Sequence, residues 1–189
     1  MWGKGGRIVI VGAKTRIVDA LHYFLETKEF KKITVKMIVE KANINRKTFY
    51  DYFDNKEDLL NFVENKVVCE FKVIFNRNAQ YNIYEIKKLI DQQNAYKTNL
   101  EICKHMKRYQ AFYNNRLSEG DFYKKISIEL YKILLPYLNN SKVSQYLSFG
   151  AIGYLNIWLD DDCEHPIEEV AIGLAESGLP PILRAIEKA

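Results

Sequence analysis

The chain has 189 residues, 48% of them hydrophobic, and a net charge of +4. That is enough apolar material for one large domain, or for a small and a medium one. No apolar run approaches the roughly 18 residues that a membrane span needs. Ile8–Val11, the longest near the start, lacks the core and cleavage site of a signal peptide, so a soluble, cytoplasmic protein is expected. Three cysteines, Cys69, Cys103 and Cys163, form no CxxC pair. They argue against a zinc module or a disulfide framework and predict free buried thiols. Charge is unevenly placed. Residues 28–56 hold eight Lys/Arg and four acids, whereas residues 157–189 hold eight acids and two bases. A basic front and an acidic rear fit a protein that turns one end toward an anion.

Long stretches without Gly or Pro, such as 13–119, and the absence of period-two alternation predict an all-α chain. The first helix is expected over 13–27, with Ile17, Ala20, Leu21, Phe24 and Leu25 at helical spacing. Thr34 is an N-cap for the second, with Ile33 and Ile38 at the staple positions around it. Asn45 caps the third, with Ile44 and Phe49 repeating the staple, and Asn55 caps the fourth, with Asp58 as an approximate capping box. Further helices are expected at 83–105, 107–117, 121–138, 142–160 and 166–187. Gly120 and the Pro136–Ser141 stretch mark breaks, and Pro180 and Pro181 should end or kink the last helix.

Helices at 35–41 and 46–52, separated by Ala42-Asn43-Ile44-Asn45, have the spacing of a helix-turn-helix. Asn43 is one of the few residue types that tolerates the positive φ such a turn needs. Ile38, Ala42, Ile44, Phe49 and Phe53 form the expected inner face, backed by Leu21 and Phe24. Arg46, Lys47, Thr48, Tyr50 and Tyr52 are left on the outer rim. Their donors suit guanine and phosphate oxygens, and Thr48 can touch a thymine methyl, where a helix enters a major groove.

The segment ITVKMIVEKANINRKTFYDYFDNKEDLL closely resembles the DNA-binding segment of TetR/AcrR-family transcriptional regulators. The features that match are Thr34, the run Thr48-Phe49-Tyr50-Asp51-Tyr52-Phe53, and Asn55-Lys56-Glu57-Asp58-Leu59. The resemblance implies base or phosphate contacts at Arg46, Lys47 and Thr48, and phosphate contacts at Thr34, Tyr50, Tyr52 and Lys56. Asn43 stands where the family usually has Gly, and Asp51 must point aside or accept from a cytosine amino group. The implied organisation is an N-terminal arm or expression scar at 1–12, a helix-turn-helix DNA-binding domain at 13–62, and a helical effector-binding and dimerisation domain at 63–189. The implied function is a sequence-specific, DNA-binding transcriptional regulator, a repressor released by a small-molecule effector. The alternative is a ligand-free co-regulator or protein-interaction module of the same fold.

The stretch SFGAIGYLNIWLDDDCEHPIEEVAIGLAE resembles the end of the regulatory domain in a Firmicutes subgroup of that family, where the last two helices of two subunits form a four-helix bundle. Large and small residues alternate there, and Phe149, Ile152, Gly153 and Asn156 are the expected homodimer contacts. In the aromatic-rich middle, His105, Tyr109 and Tyr113 share a helix face and are the expected polar groups of an effector pocket. Asp160-Asp161-Asp162-Cys163-Glu164-His165 contains metal-ligand types, but neighbours on a helix end diverge and no second cluster completes a shell, so no metal is expected. Gly3-Lys4-Gly5-Gly6 lacks phosphate-loop spacing. Lys4 and Arg7 could instead form an arm reaching a minor groove. No nucleophile–base arrangement stands out, so neither catalysis nor a cofactor is expected.

Overall fold

A computed structural model describes residues 12–78, 94–118 and 120–186. The described residues are helical and contain no strand. The elements are α1 (Ala13–Leu25), a 3-10 turn (Phe30–Lys32), α2 (Val35–Lys41), α3 (Arg46–Tyr50), α4 (Lys56–Asn78), α5 (Asn94–Arg108), α6 (Gln110–Leu117), α7 (Gly120–Leu138), α8 (Ser141–Asp160) and α9 (Ile167–Ile186). The chain divides into two compact units, residues 1–64 and 65–189. Lys4, Arg7, Tyr81, Tyr84 and the expected helical stretch 83–93 lie outside the described residues.

Three side-chain caps define the first unit. Thr34 Oγ1 accepts from Met37 N at 3.2 Å, Asn45 Oδ1 from Thr48 N at 2.7 Å, and Asn55 Oδ1 from Asp58 N at 2.8 Å. The Asp58 carboxylate reaches back to Asp54 N at 3.2 Å, one residue before the position a capping box uses. Each cap satisfies a donor that the first helical turn would leave unpaired. Ile17, Leu21, Ile33, Ile38, Phe49, Leu59 and Val63 are fully buried and form one core, whereas Phe24 and Ile44 are half-buried at its edge.

In the second unit α7 packs along α8, α5 along α9, and α6 against both α7 and α8. Phe112, Tyr113 and Phe122 meet edge to face or tilted, with ring centroids 5.5–6.1 Å apart. Ile126, Leu130, Ile152, Leu155 and Leu159 extend that core between α7 and α8. Cys103 and Cys163 are buried free thiols. Cys69, expected to be buried, is exposed.

Pro136 lies inside α7, which ends at Leu138 within the 136–141 stretch expected to mark a break, whereas α9 runs past Pro180 and Pro181 to Ile186 instead of ending there. A proline near a helix end keeps helical φ and removes only its own N–H bond, so winding continues. What ends α7 is Asn139, at φ 43°, whose N–H donates to Leu135 O at 3.0 Å. Asn140 then caps α8 through Val143 N at 3.1 Å.

Candidate functional site

The two helices α2 and α3 are seven and five residues long, too short to stand without neighbours. The turn between them holds Asn43 at φ 50°, the left-handed conformation its residue type was expected to supply. Phe49 and Phe53 are locked inside, which fixes the roll of α3. Arg46, Lys47, Tyr50 and Tyr52 consequently face solvent, both tyrosines 45% exposed. Arg46 Nη2 donates to Tyr50 Oη at 3.1 Å, with the guanidinium 5.6 Å from the ring centroid. Arginine has five N–H donors, so the others remain for an acceptor outside the protein. Tyr50 accepts from Arg46 and keeps its own proton to donate. Thr48 is more committed: its Oγ1 donates its one proton to Asn45 Oδ1 at 3.0 Å.

Lys56 departs from the expectation of a phosphate contact. Its Nζ donates to Phe30 O at 3.1 Å, Lys31 O at 3.2 Å and Ile33 O at 2.9 Å, and sits 4.6 Å from the Phe30 ring centroid. An ammonium has three donors, and three carbonyls take them. Thr34, exposed at the start of α2, keeps its hydroxyl proton free to donate. At the other end of α2, Arg16 Nη1 of α1 donates to Ala42 O at 3.2 Å and Asn43 O at 3.1 Å. Nothing in the sequence singled out Arg16. Its partners are carbonyls 26 and 27 residues away, visible only once the turn is folded.

In the second unit the three polar groups expected in a pocket do come together. His105 Nε2 and Tyr113 Oη share a hydrogen bond of 3.2 Å. Tyr109 Oη donates to Glu70 Oε2 at 2.9 Å, and that oxygen lies 3.7 Å from His105 Nδ1. Glu70 was not anticipated; it sits on α4, far away in sequence. Burial holds His105 down at about 4, against the partial pull of Glu70 in the other direction. Burial, then the bond to Glu70, pushes Tyr109 up to about 12. Burial raises Tyr113 well above the ordinary range. At neutral pH the cluster therefore holds a neutral imidazole and two neutral phenols, with Glu70, its side chain 37% exposed, at the rim.

Residues 17–63 match the family model described as bacterial regulatory proteins, tetR family. Residues 17–63 are thus a TetR-type unit. The dhaKLM operon transcriptional activator DhaS of Lactococcus lactis is 35% identical over 66 residues, 34% of this chain and 33% of DhaS. The transcriptional regulator YxbF of Bacillus subtilis is 26% identical over 155 residues, 80% of this chain and 40% of YxbF. The chain thus spans a third to two fifths of these relatives' length. The solved structure of the dihydroxyacetone kinase operon activator DhaS superposes with a TM-score of 0.67 at 19% identity, covering 90% of this chain and 96% of that one. It establishes the all-helical fold beyond the TetR-type unit.

Of the residues expected as homodimer contacts, Ile152 and Gly153 are turned toward their own protomer. Ile152 is fully buried in its own protomer, because it lies on the face of α8 that meets α7. Gly153 also faces α7: an added Cβ would come 3.3 Å from Tyr123 Oη. The same hydroxyl donates to Phe149 O at 2.9 Å, and the two rings meet edge to face. Asn156 is half-buried and donates from Nδ2 to Asp160 at 3.0 Å. The outward stripe is Tyr146, Gly150, Tyr154 and Ile157 on α8, with Ile172 on α9. Tyr146 is 71% and Ile157 64% exposed. Among the described residues no group of acids, cysteines and histidines is arranged to hold a metal ion. His165 instead pairs with Glu169 at 3.2 Å across the first turn of α9.

Proposed function

We propose that the chain is a cytoplasmic, homodimeric transcription regulator that reads duplex DNA with α3. The observation that carries this reading is the two-faced segment of α3 and the turn after it: Phe49 and Phe53 are anchored inside, while Arg46, Lys47, Tyr50 and Tyr52 are exposed. A major groove about 12 Å wide admits such a helix. Arg46 is the base reader, because a guanidinium can bond guanine O6 and N7 together. Lys47, Tyr50, Tyr52 and Thr34 supply backbone contacts, which position without specifying. The exposed apolar stripe on α8 and α9 supports a twofold pairing of copies, and large exposed apolar patches commonly mark interfaces. Occupying a duplex excludes other proteins from it, so repression is the simplest outcome of binding. DhaS, named an activator, favours the opposite sign.

An effector that separates the two recognition helices would do so by binding one arrangement better than the other. One observation favours a second reading, a co-regulator that senses no ligand: the groups expected to meet an effector already satisfy one another through His105–Tyr113 and Tyr109–Glu70. The base-reading role has a direct test. Gel-shift titrations on a duplex recovered by selection and on its scrambled sequence should show Arg46→Ala losing about 1–3 kcal/mol on the first and much less on the second. Equal losses on both would remove Arg46 as a reader.

A further inference from the structure

We infer that Arg16 and Lys56 form a two-cation brace around α2, positioning α3 for DNA without touching DNA themselves; this rests on the DNA-binding reading above. Each end of α2 is held by a cation from another helix. Lys56, the first residue of α4, grips three carbonyls in the 30–33 turn that leads into α2, from 23 to 26 residues away. Arg16, from α1, grips the two carbonyls at the α2–α3 turn. Lysine concentrates its charge at one point with three donors, and three converging carbonyls match that geometry. Arginine at a helix C-terminus complements the negative end of the dipole and satisfies carbonyls the helix leaves open. Helices of five and seven residues cannot set their own orientation, so these five bonds set where α2 begins and where the turn places α3. Both side chains are half-buried; all three Lys56 donors meet carbonyls, whereas Arg16 bonds through Nη1 and its Nε is buried without a partner.

Salt dependence separates bracing from phosphate contact. A lysine that neutralises a phosphate contributes about 0.9 to the slope of log affinity against log salt. With the full chain and the duplex recovered from a random pool, Lys56→Met and Arg16→Met should each weaken binding at least about tenfold, with the slope unchanged per half-site. A slope that falls by about 0.9 per half-site for Lys56→Met would show that its ammonium meets phosphate, and would overturn the brace. So would wild-type affinity in Arg16→Met. Lys56→Arg keeps the charge but spreads its donors over a plane, and keeps the inference testable should Lys56→Met fail to fold. It should bind as weakly as a brace-less protein, whereas wild-type affinity in Lys56→Arg would contradict bracing. Failure of the wild-type chain to enrich any duplex would instead sink the DNA-binding reading itself, before any variant is compared.

Discussion

On the proposed reading Tyr50 would serve two partners at once, Arg46 and the duplex, which ties its contribution to that of Arg46. Its hydroxyl accepts from the guanidinium and is still able to donate outward. Removing the hydroxyl in Tyr50→Phe therefore costs the outward contact and also loosens Arg46. A double-mutant cycle on the selected duplex should show this coupling. Tyr50→Phe should cost about two- to fivefold less affinity in an Arg46→Ala background than in the wild type. Strictly additive losses would show that the two act independently. At this scale the sequence was informative wherever the physics is local. Asn43 could be assigned its positive φ because few side chains tolerate that conformation, and the structure holds it at 50°. Arg16 and the true partners of Lys56 were illegible, because which carbonyls a long side chain meets is settled by tertiary approach.

The elements show the same division. Thr34, Asn45 and Asn55 declared three helix starts, since a cap acts on N–H groups only two or three residues away. Pro180 and Pro181 did not end α9, because proline weakens a helix without forcing it to stop. On α8 the apolar residues run nearly all the way round, so periodicity could not say which face meets α7; Ile152 was assigned outward and lies inward. The cluster between α4, α5 and α6 carries a pH prediction. The ordinary imidazole value is 6.5, and burial depresses that of His105 to about 4 in the folded chain. As pH falls, the unfolded chain binds this proton first, so stability is full above the ordinary value and drains away down to the folded one. Urea unfolding at about pH 7 and about pH 5 should show a loss on the order of 2 kcal/mol attributable to His105. His105→Gln should remove that component of the pH dependence. An unchanged pH dependence in the variant would mean that the imidazole takes up its proton in the folded state as readily as in the unfolded one.

For the whole molecule, the question is whether two copies present α3 together. The outward stripe of Tyr146, Gly150, Tyr154 and Ile157 is the surface through which they would pair, and Ile157 is its most exposed aliphatic residue. Two-fold pairing would set recognition helices about 34 Å apart, one turn of duplex. The most direct measurement is recovery of bound duplexes from a random pool, run with the wild-type chain and with Ile157→Arg. The wild type should enrich a near-palindrome with half-sites about one turn, or a whole number of turns, apart, and Ile157→Arg should lose that enrichment. No enriched sequence from the wild type, or an asymmetric site that Ile157→Arg recovers equally well, would contradict a paired reader built on α3.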